Sequence, residues 1–180
     1  LKASQTSIPG VLLIEPKVYA DSRGFFLETY NEKKMVELGI AERFVQDNHS
    51  QSSKNVLRGL HYQIQHPQGK LIRVVEGEIF DVAVDLRKNS PTFARWYGCV
   101  LSGQNNKMLW VPAGMAHGFQ VLSNVAHVLY KTTDFYYPEF ERTLAWNDPE
   151  LNIAWPCGMP VVSEKDAKGD PLERAEKFSD

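Results

Sequence analysis

Between residues 78 and 86 the chain alternates without a break: Ile79, Asp81, Ala83 and Asp85 take one parity, Phe80, Val82, Val84 and Leu86 the other. A period of two is the signature of a strand. Shorter runs of the same kind recur at residues 8–16, 25–30, 44–51, 56–63, 71–76, 96–101, 108–111, 118–122 and 126–133. Turn chemistry separates them: Asp21-Ser22-Arg23-Gly24, Gly77, Pro91, Gly103-Gln104-Asn105, Pro112-Ala113-Gly114 and Ser123-Asn124. Many short strands at near-regular intervals predict an all-β sandwich or barrel.

Helical signals are few. Asn31 can cap a short helix running to Leu38, with Met35, Val36 and Leu38 as its apolar residues and Gly39 as its stop. Beyond residue 133 the chain reads as an irregular, aromatic-rich wrap marked by Tyr136-Tyr137-Pro138 and Trp155-Pro156. Ser163 opens a helical turn, and residues 167–180 form a charged tail expected to lie at the periphery. No internal repeat or low-complexity segment interrupts the 180 residues, which fit one domain.

Composition adds mainly exclusions. With 43% hydrophobic and 23% charged residues the chain is ordinary for a folded protein. A formal charge of −2 without any Lys/Arg block argues against a nucleic-acid or membrane-surface binder, so an anionic ligand must be held by local cations. The apolar run Val11-Leu12-Leu13-Ile14 is cut off by Glu15 and Pro16, too short for a membrane span. Cys99 and Cys157 form no CxxC pair and are expected to be two buried free thiols, as suits a reducing, cytoplasmic setting.

The chemistry concentrates in RGLHYQIQHPQGK (58–70). His61 is a candidate general base, because an imidazole exchanges its proton near neutral pH, and Lys70 is its candidate electrostatic partner. The plainer reading is a hairpin with one partly buried histidine. A metal is the first alternative in a β-barrel with five histidines. Metal-binding cupins carry an HxH pair and a later PxGxxH segment. The second is present as residues 112–117, but the residue two beyond His61 is Gln63, so no metal set is expected. Asp166 has a structural reading too, since Ser163-Glu164-Lys165-Asp166 resembles a capping box, and spacing alone favours it. Tyr130 reads equally well as a core aromatic or a proton donor. On a regular strand Arg58 and His61 would face opposite sides, so a shared site predicts a bulge at Gly59.

Taken together, RGLHYQ (58–63), QGKLIRVVEGEIFDVAVDLR (68–87), PAGMAHGF (112–119), YKTTDFYYP (130–138) and SEKD (163–166) closely resemble the dTDP-4-dehydrorhamnose 3,5-epimerase family, and DSRGFF (21–26) and FVQDN (44–48) extend the match. The resemblance implies a cupin-like jelly roll with a few short helices, a homodimer, no cofactor and no metal, working on a dTDP-4-keto-6-deoxy sugar on the way to activated L-rhamnose, a cell-surface sugar. It implies that His61 is the proton acceptor, Asp166 its dyad partner, Tyr130 the proton donor and Lys70 the group that steadies the enolate. It further implies substrate contacts from Arg23, Glu28, Gln46, Asp47, Asn48, Arg58, Lys70, His117, Glu141 and Lys165. An aromatic from Tyr136 or Tyr137 would stack on thymine, with Tyr136 the choice here. The N-terminal segment is expected to reach the neighbouring subunit, so that Arg23 and Glu28 complete the partner's site. The competing readings are an epimerase of one carbon only, a metal-dependent cupin enzyme and a non-catalytic sugar-nucleotide-binding jelly roll.

Overall fold

The computed structural model describes residues 1–179. Its strands, in chain order, are β1 (Lys2–Gln5), β2 (Leu12–Glu15), β3 (Val18–Asp21), β4 (Gly24–Leu27), β5 (Gln46–Ser53), β6 (Leu57–Gln63), β7 (Lys70–Glu76), β8 (Glu78–Asp85), β9 (Trp96–Ser102), β10 (Met108–Val111), β11 (Met115–Val121), β12 (Val125–Thr132) and β13 (Glu141–Thr143). Two short helices, α1 (Glu32–Glu37) and α2 (Glu164–Ala167), and a 3₁₀ turn at Pro138–Phe140 complete the elements. Among the described residues no helix is long and apolar enough to cross a membrane.

The strands form two facing antiparallel sheets, the layout of a jelly-roll sandwich. One has the order β1-β2-β10-β7-β12-β5, the other β13-β6-β11-β8-β9, and β3 with β4 stands apart as a hairpin. Residues of both inner faces make the main core: Ile72, Leu109 and Val128 from the first sheet meet Ile79, Ala83 and Phe119 from the second. Each sheet also covers an outer apolar face. On the five-stranded sheet Leu60, Tyr62, Val82 and Val84 pack under Leu144, Leu151, Leu172 and Ala175. On the six-stranded sheet Leu12, Ile14, Met108 and Trp110 pack under Met35 and Ile40. Burial of a side chain such as Leu60 or Ile72 contributes about 2 kcal/mol. The alternation of β8 therefore records two buried faces, not one buried and one wet.

Several expectations change here. The tail is docked, because Leu172 and Ala175 are buried in the second cluster and Asp170 and Phe178 bridge back to Leu144 and Arg87; Asp180 lies outside the described residues. The α1 helix begins as expected, with the Asn31 side chain accepting from Lys34 N, a cap worth about 1 kcal/mol. Only Met35 of that helix is buried, and Val36 points to solvent, since an isolated turn and a half has one core-facing stripe. Both cysteines are free but only half-buried. The short strands β1, β3 and β13 were not anticipated: Lys2-Ala3-Ser4-Gln5 and Glu141-Arg142-Thr143 are largely polar edge strands with no apolar alternation to betray them.

Candidate active site

A cavity of about 380 Å³ opens between the two sheets. Its walls come from opposite sheets. His61 on β6 and His117 on β11 line it from the five-stranded sheet, and Lys70 on β7, Tyr130 on β12 and Gln46, Asn48 and Ser50 on β5 line it from the six-stranded one. Tyr136, Glu141 and Lys165 stand around it as well. A volume of this size suits one small ligand.

Gly59 sets the geometry of β6. Between the paired positions Arg58–Phe119 and His61–His117, β6 takes three steps while β11 takes two. Gly59 absorbs the extra residue at φ 116°, a conformation that favours glycine, and its peptide bond to Leu60 is cis. Arg58 and His61 therefore both line the cavity, while Leu60 and Tyr62 turn to the outer apolar cluster. A Cβ at Gly59 would sit 2.6 Å from Gly118 Cα and 2.7 Å from His117 O, so the two backbones approach only because both residues lack side chains. Arg58 is aimed by Ser52 Oγ, which accepts from its Nε at 2.9 Å, and by the Gln51 carbonyl.

His61 Nε2 stands 2.6 Å from Asp166 Oδ1. The carboxylate is buried, and its other oxygen accepts from Gly59 N. Burial pushes the His61 pKa below its ordinary value, although Asp166 pulls it up. For Asp166 burial works against the charge, but the bonds from His61, Gly59 and Ser163 outweigh it and hold the carboxyl below the usual range. The capping-box reading is half right. Ser163 Oγ accepts from Asp166 N, closing the first turn of α2, but the Asp166 carboxylate does not return the bond to the backbone of Ser163. It crosses to β6. With Nε2 committed to a carboxylate, the Nδ1 of neutral His61 keeps a lone pair.

Lys70 is buried, and its Nζ donates to the His61 carbonyl at 3.2 Å. Desolvation lowers its pKa to about 8 despite the carboxylates of Glu141 and Asp81, so it stays mostly charged at neutral pH. Across the cavity Tyr130 has a pKa raised by burial, with Arg58 acting the other way, so its phenol holds its proton. Glu141 is kept charged against desolvation by Lys165 at 2.8 Å and by the Tyr136 hydroxyl at 3.0 Å.

Gln63 explains the missing metal half-motif. Its amide donates to the carbonyls of His66 and Phe135 and its oxygen accepts from Tyr137 N. The residue standing where a second histidine would be braces the aromatic loop instead. That loop separates its two tyrosines: Tyr137 packs its ring on His66 at 4.5 Å, while Tyr136 is half exposed at the cavity. Among the described residues no three His, Cys, Asp or Glu side chains form a group able to hold a metal ion.

Three expected contacts lie elsewhere. Asp47 has the opposite parity to Gln46 and Asn48 on β5, so it faces outward and pairs with Lys131 at 2.8 Å. Arg23 sits at the tip of the β3–β4 hairpin, bonded to Asp21 and 88% exposed. Glu28 is tied to Lys34 at 2.6 Å and to Asn31. Conversely, Ser50 was overlooked. It lines the cavity with a buried hydroxyl that has no partner, and the parity shared with Gln46 and Asn48 was the available signal.

Comparison with known proteins bears directly on this arrangement. The family described as dTDP-4-dehydrorhamnose 3,5-epimerase matches residues 5–174. The chain belongs to the dTDP-4-dehydrorhamnose 3,5-epimerase family. It is 56% identical over 180 residues to the dTDP-4-dehydrorhamnose 3,5-epimerase of Pseudomonas aeruginosa, covering 99% of each chain. It is 53% identical over 176 residues to that of Shigella flexneri, covering 97% of each. The crystal structure of dTDP-6-deoxy-D-glucose-3,5-epimerase from Legionella pneumophila Philadelphia 1, in complex with dTDP-4-keto-L-rhamnose, superimposes with a TM-score of 0.94 at 52% identity, covering 97% of this chain and 94% of that one. Within this family's fold, His61, Lys70 and Tyr130 line one cavity between the sheets.

Proposed function

We propose that this chain inverts C3 and C5 of dTDP-4-dehydro-6-deoxy-D-glucose to give dTDP-4-dehydro-L-rhamnose, by acid–base catalysis through an enolate. The observation that carries this reading is the placement of His61 and Tyr130 on opposite sheets, hence on opposite walls of one cavity, with Lys70 between the same two sheets. The 4-keto group acidifies the C–H bonds on either side of it. His61 Nδ1 takes one of these protons, and the electron pair of the C–H bond moves into an enolate whose oxygen the Lys70 ammonium stabilises. Tyr130 then gives its phenolic proton to the same carbon from the other face, which inverts it. Solvent exchange resets both groups. Asp166 offsets the charge that His61 gains. Each proton transfer contributes about 10² to 10⁴ in rate.

The nucleotide end of the substrate has its own contacts. Arg58 and Lys165 supply cations for the diphosphate, Gln46, Asn48 and His117 offer hydrogen bonds, and Tyr136 offers its half-exposed ring to the thymine. Arg23 and Glu28 serve the neighbouring subunit of a homodimer. The β3–β4 hairpin that leads to them exposes Tyr19, Phe25 and Phe26, an apolar surface that a second copy would cover. The two free thiols fit an enzyme of the cytoplasm.

Incubation with substrate in D₂O tests the reading. Deuterium at both C3 and C5 is expected; incorporation at one carbon would reduce the activity to a single epimerisation, and none at either would sink it. Tyr130→Phe should slow inversion more than it slows exchange.

A further inference from the structure

The cavity contains a second histidine–carboxylate pair. His117 is the direct cross-strand partner of His61, and its Nε2 stands 2.8 Å from Asp81 Oδ1 on β8. Asp81 is fully buried, and its other oxygen, Oδ2, is buried without a hydrogen bond. A second aspartate on the same strand shows what a structural buried carboxylate looks like here. Asp85, also fully buried, accepts from the side chains of Arg87, Ser90 and Thr92 and from the Arg87 backbone. A fold that needed only to satisfy Asp81 would supply such donors, since an unpaired buried carboxylate oxygen is costly. Asp81 has one, and it belongs to a cavity residue.

We propose that Asp81 is a positioning residue of the active site: it accepts the Nε2–H of His117, fixing the tautomer that leaves Nδ1 as an acceptor for the ligand. A histidine whose Nε2 is held by a carboxylate has its ring orientation and tautomer set by that bond.

The kinetic part of this proposal rests on the epimerase reading; the tautomer does not. Imidazole ¹⁵N shifts of His117 in the wild-type protein, assigned through His117→Gln, should show the neutral ring protonated at Nε2. In Asp81→Asn, where the side-chain amide can donate to Nε2, the proton should move toward Nδ1. The same variant should lose about 10- to 100-fold in kcat/KM. A neutral His117 protonated at Nδ1 in the wild type would overturn the proposal, and this holds even if Asp81→Asn fails to fold. So would a folded Asp81→Asn whose His117 tautomer matches the wild type. Absence of any epimerisation by the wild type would refute the function while leaving the tautomer measurement to decide the role of Asp81.

Discussion

Replacing Asp166 with asparagine should cost activity far more than stability, and the geometry sets the size of the loss. Oδ1 lies 2.6 Å from His61 Nε2 in a side chain that is 3% exposed. Once His61 has taken a proton, imidazolium and carboxylate face each other with charge centres about 4 Å apart, an interaction of about 4 kcal/mol at an effective dielectric of about 20. Losing it corresponds to about 10³ in rate. The amide can also turn its NH₂ toward Nε2, which moves the ring proton to Nδ1 and removes the lone pair that meets the substrate; in the serine-protease triad the equivalent exchange costs about 10⁴. A fall of 10³ to 10⁴ in kcat/KM is expected. The amide keeps the carboxylate's shape, and Ser163 still caps α2 through the backbone, so a loss of about 1 kcal/mol is expected, lowering Tm by about 2–4 °C. Deuterium incorporation at C3 and C5, followed by NMR beside a thermal melt, measures both quantities. Activity within tenfold of wild type in a variant folded this well would refute the assignment of Asp166 to the base.

Other tests follow from the same groups. The pH dependence of kcat/KM should be bell-shaped, with its acid limb below 6.5, because burial lowers the His61 pKa, and its alkaline limb near 8, where Lys70 loses its proton; an acid limb above 7 would contradict the environment described for His61. Holding Lys70 at about 8 against an ordinary 10.5 corresponds to about 3 kcal/mol. Lys70→Met should therefore raise Tm at neutral pH while removing at least about 10² of the activity. Between pH 8 and 10.5 the unfolded lysine still binds a proton that the folded one has released, so wild-type stability gains a rising contribution across that window which the Met variant lacks; denaturant titrations of both proteins compare the slopes. Gly59→Ala places a Cβ 2.6 Å from Gly118 Cα at a positive φ, and should lower stability by about 2 kcal/mol or more while pulling Arg58 and His61 out of register; urea midpoints and kcat/KM report the two effects.

Where side chains alternate against a buried layer, the architecture was legible from residue order. The runs that became β8, β10 and β12 show this best, since their apolar parity is what the two sheets bury. Elements held by something other than their own apolar face were not legible. β1 and β13 are polar edges, and the β3–β4 hairpin reads as one strand because Tyr19 and Ala20 carry no packing signal. The tail looked peripheral because Leu172 and Ala175 are isolated among charges, yet two residues suffice to dock it. At the site, Gly59 was readable as a break in parity that would unite Arg58 with His61. Asp47 could have been separated from Gln46 and Asn48 by the same parity. The choice between Asp166 as a cap and as a partner of His61 could not be made locally, because its backbone serves one role and its carboxylate the other, across more than a hundred residues of chain.

That last separation has a consequence in time. Every strand precedes Asp166 in the sequence, so during synthesis both sheets can emerge and pair while His61 still has no carboxylate beside it. His61 acquires its carboxylate partner only when residues 144–170 wrap the outer face and α2 docks against β6. A chain released or clipped before that point would lack Asp166 and the cavity-lining Lys165 and, on the proposed mechanism, the charge that stabilises protonated His61. On that mechanism full turnover awaits the seating of the wrap, so the rate itself reports that the chain has closed over its second sheet.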